Sequence, residues 1–311
     1  MPMTAGCPDL SVQTTPTVEA GITIFSCPRS FEGHFGIIQR NAILSWTLLK
    51  PRPDIILLGD DAGTAEICEE LGLRHIPDLQ RTESGMPLVN SIFDRAEAAA
   101  KCEALGYVNT DIVLFQDFID AFAKVRTWKR RYLMIGCRMD LDLRVVWNFG
   151  AADWDTQLRA RAEREGAPMT LGADYFVFPR GLFAQMPPFV VGSTSYDNWF
   201  FWFARHYRVP VVDTSSIVLA IHQVHRTQHD WAESLKAPAV RRNHALASAW
   251  QRSYGPADST HELVRQGIKT RGIAPYLNRL RWAASLAAAS ARSSRSLRIL
   301  FGKPPLATSG D

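Results

Sequence analysis

Residues 106–115, Gly-Tyr-Val-Asn-Thr-Asp-Ile-Val-Leu-Phe, form an apolar run broken once, by the polar triplet Asn109-Thr110-Asp111. An apolar run without alternation marks a strand buried on both faces, as in a parallel sheet covered by helices on each side. A carboxylate inside such a run is costly unless something pairs with it. At the carboxyl end of a strand in an open α/β sheet, that partner is commonly a ligand or a metal ion. Asp111 is therefore the first candidate for a functional residue. The plain alternative is a solvated loop aspartate that caps the helix after Phe115.

The flanking sequence carries the same pattern. Strand-like runs at 21–26, 54–59, 73–76 and 132–136 alternate with helical spacing at 35–49, 64–71, 88–105 and 116–126. Pro51 and Pro53 close the first helix. This alternation predicts an α/β fold, a mainly parallel central sheet with helices on both faces. It also predicts that Pro28-Arg29, Asp60-Asp61 and Asn109-Thr110-Asp111 lie along one sheet edge, because parallel strands share a direction. Past Asp142 the pattern loosens. A charged helical piece at 159–164 precedes a strand at 173–178, and Asp197 opens an aromatic helix that ends at His206. The density of Trp and Phe there predicts core rather than a base-stacking platform. Strand-like pieces follow at 211–213 and 217–221, then His222-Gln-Val-His225. Beyond Trp231 the chain reads as helical, basic and alanine-rich. The predicted organisation is a lead-in (1–20), a body (21–235, with halves 21–142 and 143–235) and a helical C-terminal extension (236–311).

Composition narrows the classes. With 46% apolar and 10% aromatic residues the chain has material for a real core and is not a disordered segment. The formal net charge of +4 is unevenly spread: residues 263–310 hold nine basic side chains and no acidic one, which leaves the remainder acidic. The five cysteines (Cys7, Cys27, Cys68, Cys102, Cys137) form no C-x-x-C pair. That argues against a disulfide framework or a zinc site and fits a reducing compartment. The His222/His225 pair follows a strand and has no Cys or Glu cluster beside it, so structural zinc is discounted. Residues 1–20 lack a basic region followed by an apolar stretch, and no apolar run reaches the ~18 residues of a membrane span. A cytoplasmic protein is the expectation. The tail, with Leu277, Leu280, Trp282 and Leu286 among arginines, predicts one of two fates. It packs on the body with 290–296 as a loose linker, or it makes a peripheral contact with the anionic inner face of a membrane. No nucleic-acid recognition motif accompanies the charge.

Taken in order, these pieces resemble a nucleotide-sugar glycosyltransferase of the GT-A fold, similar to the bacterial family 2 enzymes. The resemblance spans about residues 20–230 and implies a three-layer α/β/α catalytic domain. Asn109-Thr110-Asp111 stands where the family keeps its metal-binding D-x-D. Asp197 resembles the acceptor-side acid, and His222 and His225 resemble the C-terminal histidine of the metal or diphosphate. Two departures are visible: Asn109 replaces an acid, and Tyr196-Asp197-Asn198 carries one acid where many relatives have two. The resemblance implies transfer of a sugar from a nucleotide diphosphate sugar, UDP by default, to a glycan, a lipid-linked acceptor or another hydroxyl.

The chemistry of the residues fits that reading. A diphosphate leaving group needs its charge neutralised. A hard divalent cation, Mn²⁺ or Mg²⁺, does this with one or two protein carboxylates, since the phosphates supply other ligands. The candidate metal ligands are Asp111, Asn109, His222 and His225. An inverting displacement needs one base, and Asp197 at a helix start serves either as that base or as a plain N-cap. Pro28 and Arg29, Asp60 or Asp61, and Asn90 are candidates for contact with the nucleotide. Asp174 is a candidate for the sugar. Each also has an ordinary turn, cap or surface reading. Three other classes remain on the sequence. A nucleotidyltransferase would want a glycine-rich basic phosphate loop, which Cys27-Pro-Arg-Ser30 matches poorly. A dinucleotide oxidoreductase would want G-x-G-x-x-G after the first strand, which is absent. A non-catalytic nucleotide-sugar-binding protein is compatible with Asn109.

Overall fold

The computed structural model describes residues 19–225 and 237–300, with side-chain surroundings for 21–225 and 237–288. The predicted lead-in thus lies almost entirely outside the described residues. The chain begins β1 (Glu19–Ser26), α1 (Gly33–Thr47), β2 (Asp54–Leu58), α2 (Thr64–Leu71), β3 (Arg74–Ile76), α3 (Val89–Ala99) and β4 (Cys102–Val108). It continues β5 (Ile112–Val113), α4 (Gln116–Trp128), β6 (Leu133–Ile135), β7 (Arg138–Leu141), α5 (Trp154–Glu165), β8 (Ala167–Met169) and β9 (Tyr175–Pro179). Then come α6 (Tyr196–His206), β10 (Val211–Asp213), β11 (Ile221–Gln223), α7 (Pro238–Leu246), β12 (His261–Val264), β13 (Gly267–Thr270) and α8 (Ala274–Leu300).

The predicted architecture is the observed one. Nine described strands form a central sheet in the order β13-β12-β10-β6-β9-β4-β1-β2-β3. All pair in parallel except β9, which runs against both β4 and β6, and the edge strand β13. The strand β2 shows why the sequence reads as it does: Ile55 and Leu57 join the core on one face, Ile56 and Leu58 the core on the other. Trp46 of α1, Ile67 of α2 and Phe118 and Phe122 of α4 cover the first face. Phe93 of α3 and Trp199 and Phe200 of α6 cover the second. The aromatic helix is core, as its composition predicted. Among the described residues no helix is long and apolar enough to cross a membrane.

Five local expectations are corrected. The run 106–115 is not one strand. β4 ends at Val108, the triplet turns, and β5 enters a second, four-stranded sheet ordered β5-β11-β7-β8. The helix predicted over 88–105 stops at Ala99, because parallel pairing with β1 (Ile22 with Ala104, Ile24 with Gly106) claims the residues after it. Tertiary pairing outweighs local helical spacing there. The strand predicted at 217–221 begins only at Ile221, since the N–H groups of Ile217 and Val218 turn back to the Thr214 carbonyl at 2.9 Å each. Finally, the extension after residue 236 is not purely helical: β12 and β13 complete the edge of the central sheet, with β12 parallel to β10. Nor is 290–296 a loose break, because α8 runs unbroken through it.

Candidate functional site

The small sheet assembles the site. Its antiparallel pair sets His222 of β11 opposite Ile112, the residue after Asp111. The N–H of Gln223 donates to the Asp111 carbonyl at 3.2 Å, fixing the turn to β11. The parallel pair of β11 and β7 sets His222 opposite Asp140. The Gln223 side chain is fully buried, donates to the carbonyls of Ile38 and Asp111, and accepts from Asn41 Nδ2 at 2.9 Å. This network clamps α1 against the turn that carries Asp111. Trp46 adds a second clamp, its indole N–H donating to the Ile112 carbonyl at 2.9 Å.

Within that frame Asp111, His222 and His225 converge, one ligand atom from each lying within 4.8 Å of the others. His225 Nε2 lies 3.1 Å from Asp111 Oδ2, and His222 Nε2 lies 3.5 Å from the same oxygen. On its other side His222 donates from Nδ1 to Asp140 Oδ1 at 2.9 Å. Burial alone would raise the Asp111 carboxyl, but hydrogen bonds from the two histidines hold it well below the usual carboxylate range. Burial alone would likewise lower His222, yet its bonds to Asp111 and Asp140 push it up to about 9. Without a cation the imidazolium is therefore the counter-charge of Asp111. Two buried polar atoms remain without a hydrogen-bond partner, Asp111 Oδ1 and His225 Nδ1. Leaving a carboxylate oxygen buried and unpaired is expensive. A divalent cation in this cluster would satisfy it, and Asp140 would hold the His222 ring as metal-bound histidines are commonly held. The residues present fit a cation.

Asn109 and Asp174 belong to the same network. Asn109 Nδ2 donates to Asp174 Oδ1 at 2.7 Å. Arg138 bridges Asp174 Oδ2 at 2.6 Å and Asp140 Oδ1 at 2.9 Å. Asp174 is buried, so it is not the exposed acid that strand alternation permits. A continuous line of charged contacts thus runs from Asn109 through Asp174, Arg138, Asp140 and His222 to Asp111.

Asp197 lies in the first turn of α6, half-buried, and the N-cap position belongs to Ser195 instead. Ser195 has φ 86°, a left-handed conformation uncommon for a residue with a side chain. Burial pushes the Asp197 carboxyl up to about 6, against the pull of the Asn198 N–H; the negative charge of Asp174 adds to the rise. The loop before it is tied down by a residue that the sequence did not reveal. Asn243 of α7, fully buried, accepts from the N–H of Val190 and donates to the carbonyls of Val190 and Thr194.

The remaining candidates sit on the loops after β1 and β2 and at the start of α3. Pro28 is buried and Arg29 exposed. Gln39 fixes their loop by accepting from the Arg29 N–H at 2.7 Å and donating to its carbonyl at 3.0 Å. The Arg29 guanidinium lies 5.2 Å from the centre of the Phe35 ring, and that ring lies 5.3 Å from the His225 ring. Thr110 and Ser26 share a hydroxyl hydrogen bond at 3.0 Å, which joins the tips of β1 and β4. Asp60 is exposed and paired with Arg81, a partner it shares with Asp61. Asn90, one residue into α3, keeps a buried Oδ1 without a partner. Phe35, Arg138, Asp140 and Asn243 escaped the sequence reading. The alternation Arg138-Met-Asp140 was its one faint signal, two opposite charges facing one side of a short strand.

No family model matches the sequence, and no curated protein matches it either. The fold has matches among solved structures. S. aureus TarS 1-349 has a TM-score of 0.40 at 12% identity, covering 73% of this chain and 72% of that one. S. aureus TarS has a TM-score of 0.42 at 14% identity, covering 74% of this chain; the chain spans 44% of that longer protein. S. aureus TarS 1-349 in complex with UDP-GlcNAc has a TM-score of 0.41 at 13% identity, covering 72% and 69%.

Proposed function

We propose that this chain is a divalent-cation-dependent glycosyltransferase that moves a sugar from a nucleotide diphosphate sugar to a hydroxyl acceptor. The observation that carries the reading is the convergence of Asp111, His222 and His225 at the carboxyl end of β4, with one carboxylate oxygen left unpaired. Sheets of this kind bind ligands at that edge. Asp111, His222 and His225 would hold the cation, with the Asn109 carbonyl as a further oxygen. Two imidazoles beside one carboxylate suit Mn²⁺ better than Mg²⁺. When bound, the cation would neutralise the charge of the diphosphate leaving group.

The chain's own groups do the rest. Asp197 accepts the proton of the acceptor hydroxyl as its oxygen bonds to the anomeric carbon, the bond from that carbon to the diphosphate oxygen breaks, and the nucleoside diphosphate departs. A carboxyl raised to about 6 is a better proton acceptor than an ordinary aspartate and is still largely ionised at neutral pH. Arg29 on one side and Asn90 on the other flank the nucleotide, and Asp174, held by Asn109 and Arg138, orients the sugar. On this reading 21–142 is the donor half and 143–235 the acceptor half. UDP is the first nucleotide to test, with a glycan or lipid-linked hydroxyl as acceptor.

The test is nucleoside diphosphate release from a panel of UDP- and GDP-sugars, with Mn²⁺ or with chelator. Release that needs the cation, and that falls by about 10²–10⁴ in Asp197→Asn with nucleotide binding intact, is the expected result. Binding without turnover of any donor would favour the non-catalytic nucleotide-sugar-binding reading.

A further inference from the structure

The helix α8 (Ala274–Leu300) spans about 40 Å at the usual rise per residue, and among the residues whose side chains are described its fastening contacts lie in the first turns. Arg279 is the anchor, nine-tenths buried. It pairs with Asp258 at 2.5 Å, donates to the Ser253 carbonyl at 2.9 Å, and lies 3.9 Å from the centre of the Tyr254 ring. Asn278 donates to the same Asp258 at 2.9 Å. From 280 to 288 the contacts stop: Leu286 alone is half-buried, and every other residue there is exposed.

What the helix exposes is not an ordinary solvated face. Ile273, the residue before the helix, and Leu277 and Leu280 within it are 72%, 50% and 66% exposed. Their spacing, continued by Ala284, is that of one helical stripe. Trp282, also exposed, lies on the opposite side of the helix with Arg279 and Leu286, and Arg281 borders the stripe. A soluble helix normally gains its stability by packing such a stripe on a core. Among the described residues nothing packs on this one beyond the cation–π contact of Arg205 with Tyr276.

The charge identifies the partner. Nine basic residues and no acidic one stand between 263 and 310; Arg271 and Arg279 are paired with Asp213 and Asp258, and the other seven select a negatively charged surface. The apolar stripe selects one that also offers hydrocarbon. A nucleic acid backbone offers only the charge, whereas an anionic bilayer offers both. We propose that α8 docks this protein on the surface of an anionic lipid bilayer, with Ile273, Leu277 and Leu280 in the headgroup region and the basic side chains among lipid phosphates. The helix is too polar to span, so it lies in the interface. The anchor also abuts α6: the Asn198 side chain, next to Asp197, donates to the Tyr254 carbonyl at 2.6 Å. A docked α8 therefore keeps that end of the molecule at the lipid surface. The docking does not depend on the glycosyltransferase reading.

The experiment is co-sedimentation of the full-length protein with vesicles of equal parts phosphatidylglycerol and phosphatidylcholine, and with vesicles of phosphatidylcholine alone. Binding to the anionic vesicles, weakened by salt and weak on the neutral ones, is expected. The double variant Leu277→Glu/Leu280→Glu changes two exposed positions, so its thermal melt and its nucleotide affinity stay as in the wild type, while its vesicle affinity drops by about tenfold or more. Wild type that ignores anionic vesicles overturns the proposal. So does vesicle binding that the double variant retains in full, which would mark a site reading charge alone, as for a nucleic acid. A wild-type dimer that the variant loses, without lipid binding, assigns the stripe to a second copy of this chain instead.

Discussion

Asp197 is the residue whose titration is most informative. Its carboxyl is raised to about 6 because it is partly withdrawn from water beside the negative Asp174. As a base it works only when ionised, so kcat/KM should climb with pH through about 6 and level off above it. Asp197→Glu should keep a limb at an altered position, and Asp197→Asn should erase activity and limb together. A flat profile from pH 5 to 8 would remove Asp197 from the base role. The sequence placed this residue at a helix start and left base and cap equally open. The structure puts Ser195 at the N-cap, which removes the cap reading, and the base role is the one proposed above. The His222 environment shows the opposite case. Nothing in Ile221-His-Gln-Val-His225 reveals that Asp140, 82 residues upstream, would lie 2.9 Å away.

Elements explain why side chains so far apart in sequence meet. The small sheet is made of pieces two to four residues long. Segments that short carry almost no periodic signal, and their pairing is fixed by tertiary contacts alone. Gln223 and Asn41, both fully buried, are such contacts, and isolated polar letters in a sequence do not announce them. Trp46→Phe tests the clamp. It removes the donor to the Ile112 carbonyl, which should cost about 1–3 kcal/mol in a denaturant melt and loosen cation binding at the neighbouring Asp111. Asn243→Ala tests the loop before α6. It strips Val190 and Thr194 of three hydrogen bonds, so a loss of about 1–3 kcal/mol or more is expected. Because that loop leads into Asp197, kcat/KM for transfer should fall well beyond any change in nucleotide affinity. Equal losses in both would make Asn243 a purely structural residue.

At the scale of the whole molecule the order of elements from 21 to 136 was legible apart from β5, because strands buried on both faces write continuous apolar runs. The edge of the central sheet was not. β12 and β13, His-Glu-Leu-Val and Gly-Ile-Lys-Thr, are short and half-exposed, and they sit in a stretch whose composition reads as helix. The site inherits its position from the sheet: β1, β2 and β4 are adjacent and parallel, so their loops gather on one edge, and the turn after β4 hands Asp111 to the small sheet. This turn, with His222 and His225, is proposed as a cation site for a nucleoside diphosphate. Calorimetric titration of UDP and of GDP into the purified chain, with Mn²⁺ and with chelator, tests it most directly when repeated on Asp111→Ala. Binding of one nucleotide that needs Mn²⁺ and is lost in the variant is the expected result. Binding that is indifferent to both the cation and Asp111, or no binding of either nucleotide, would contradict it.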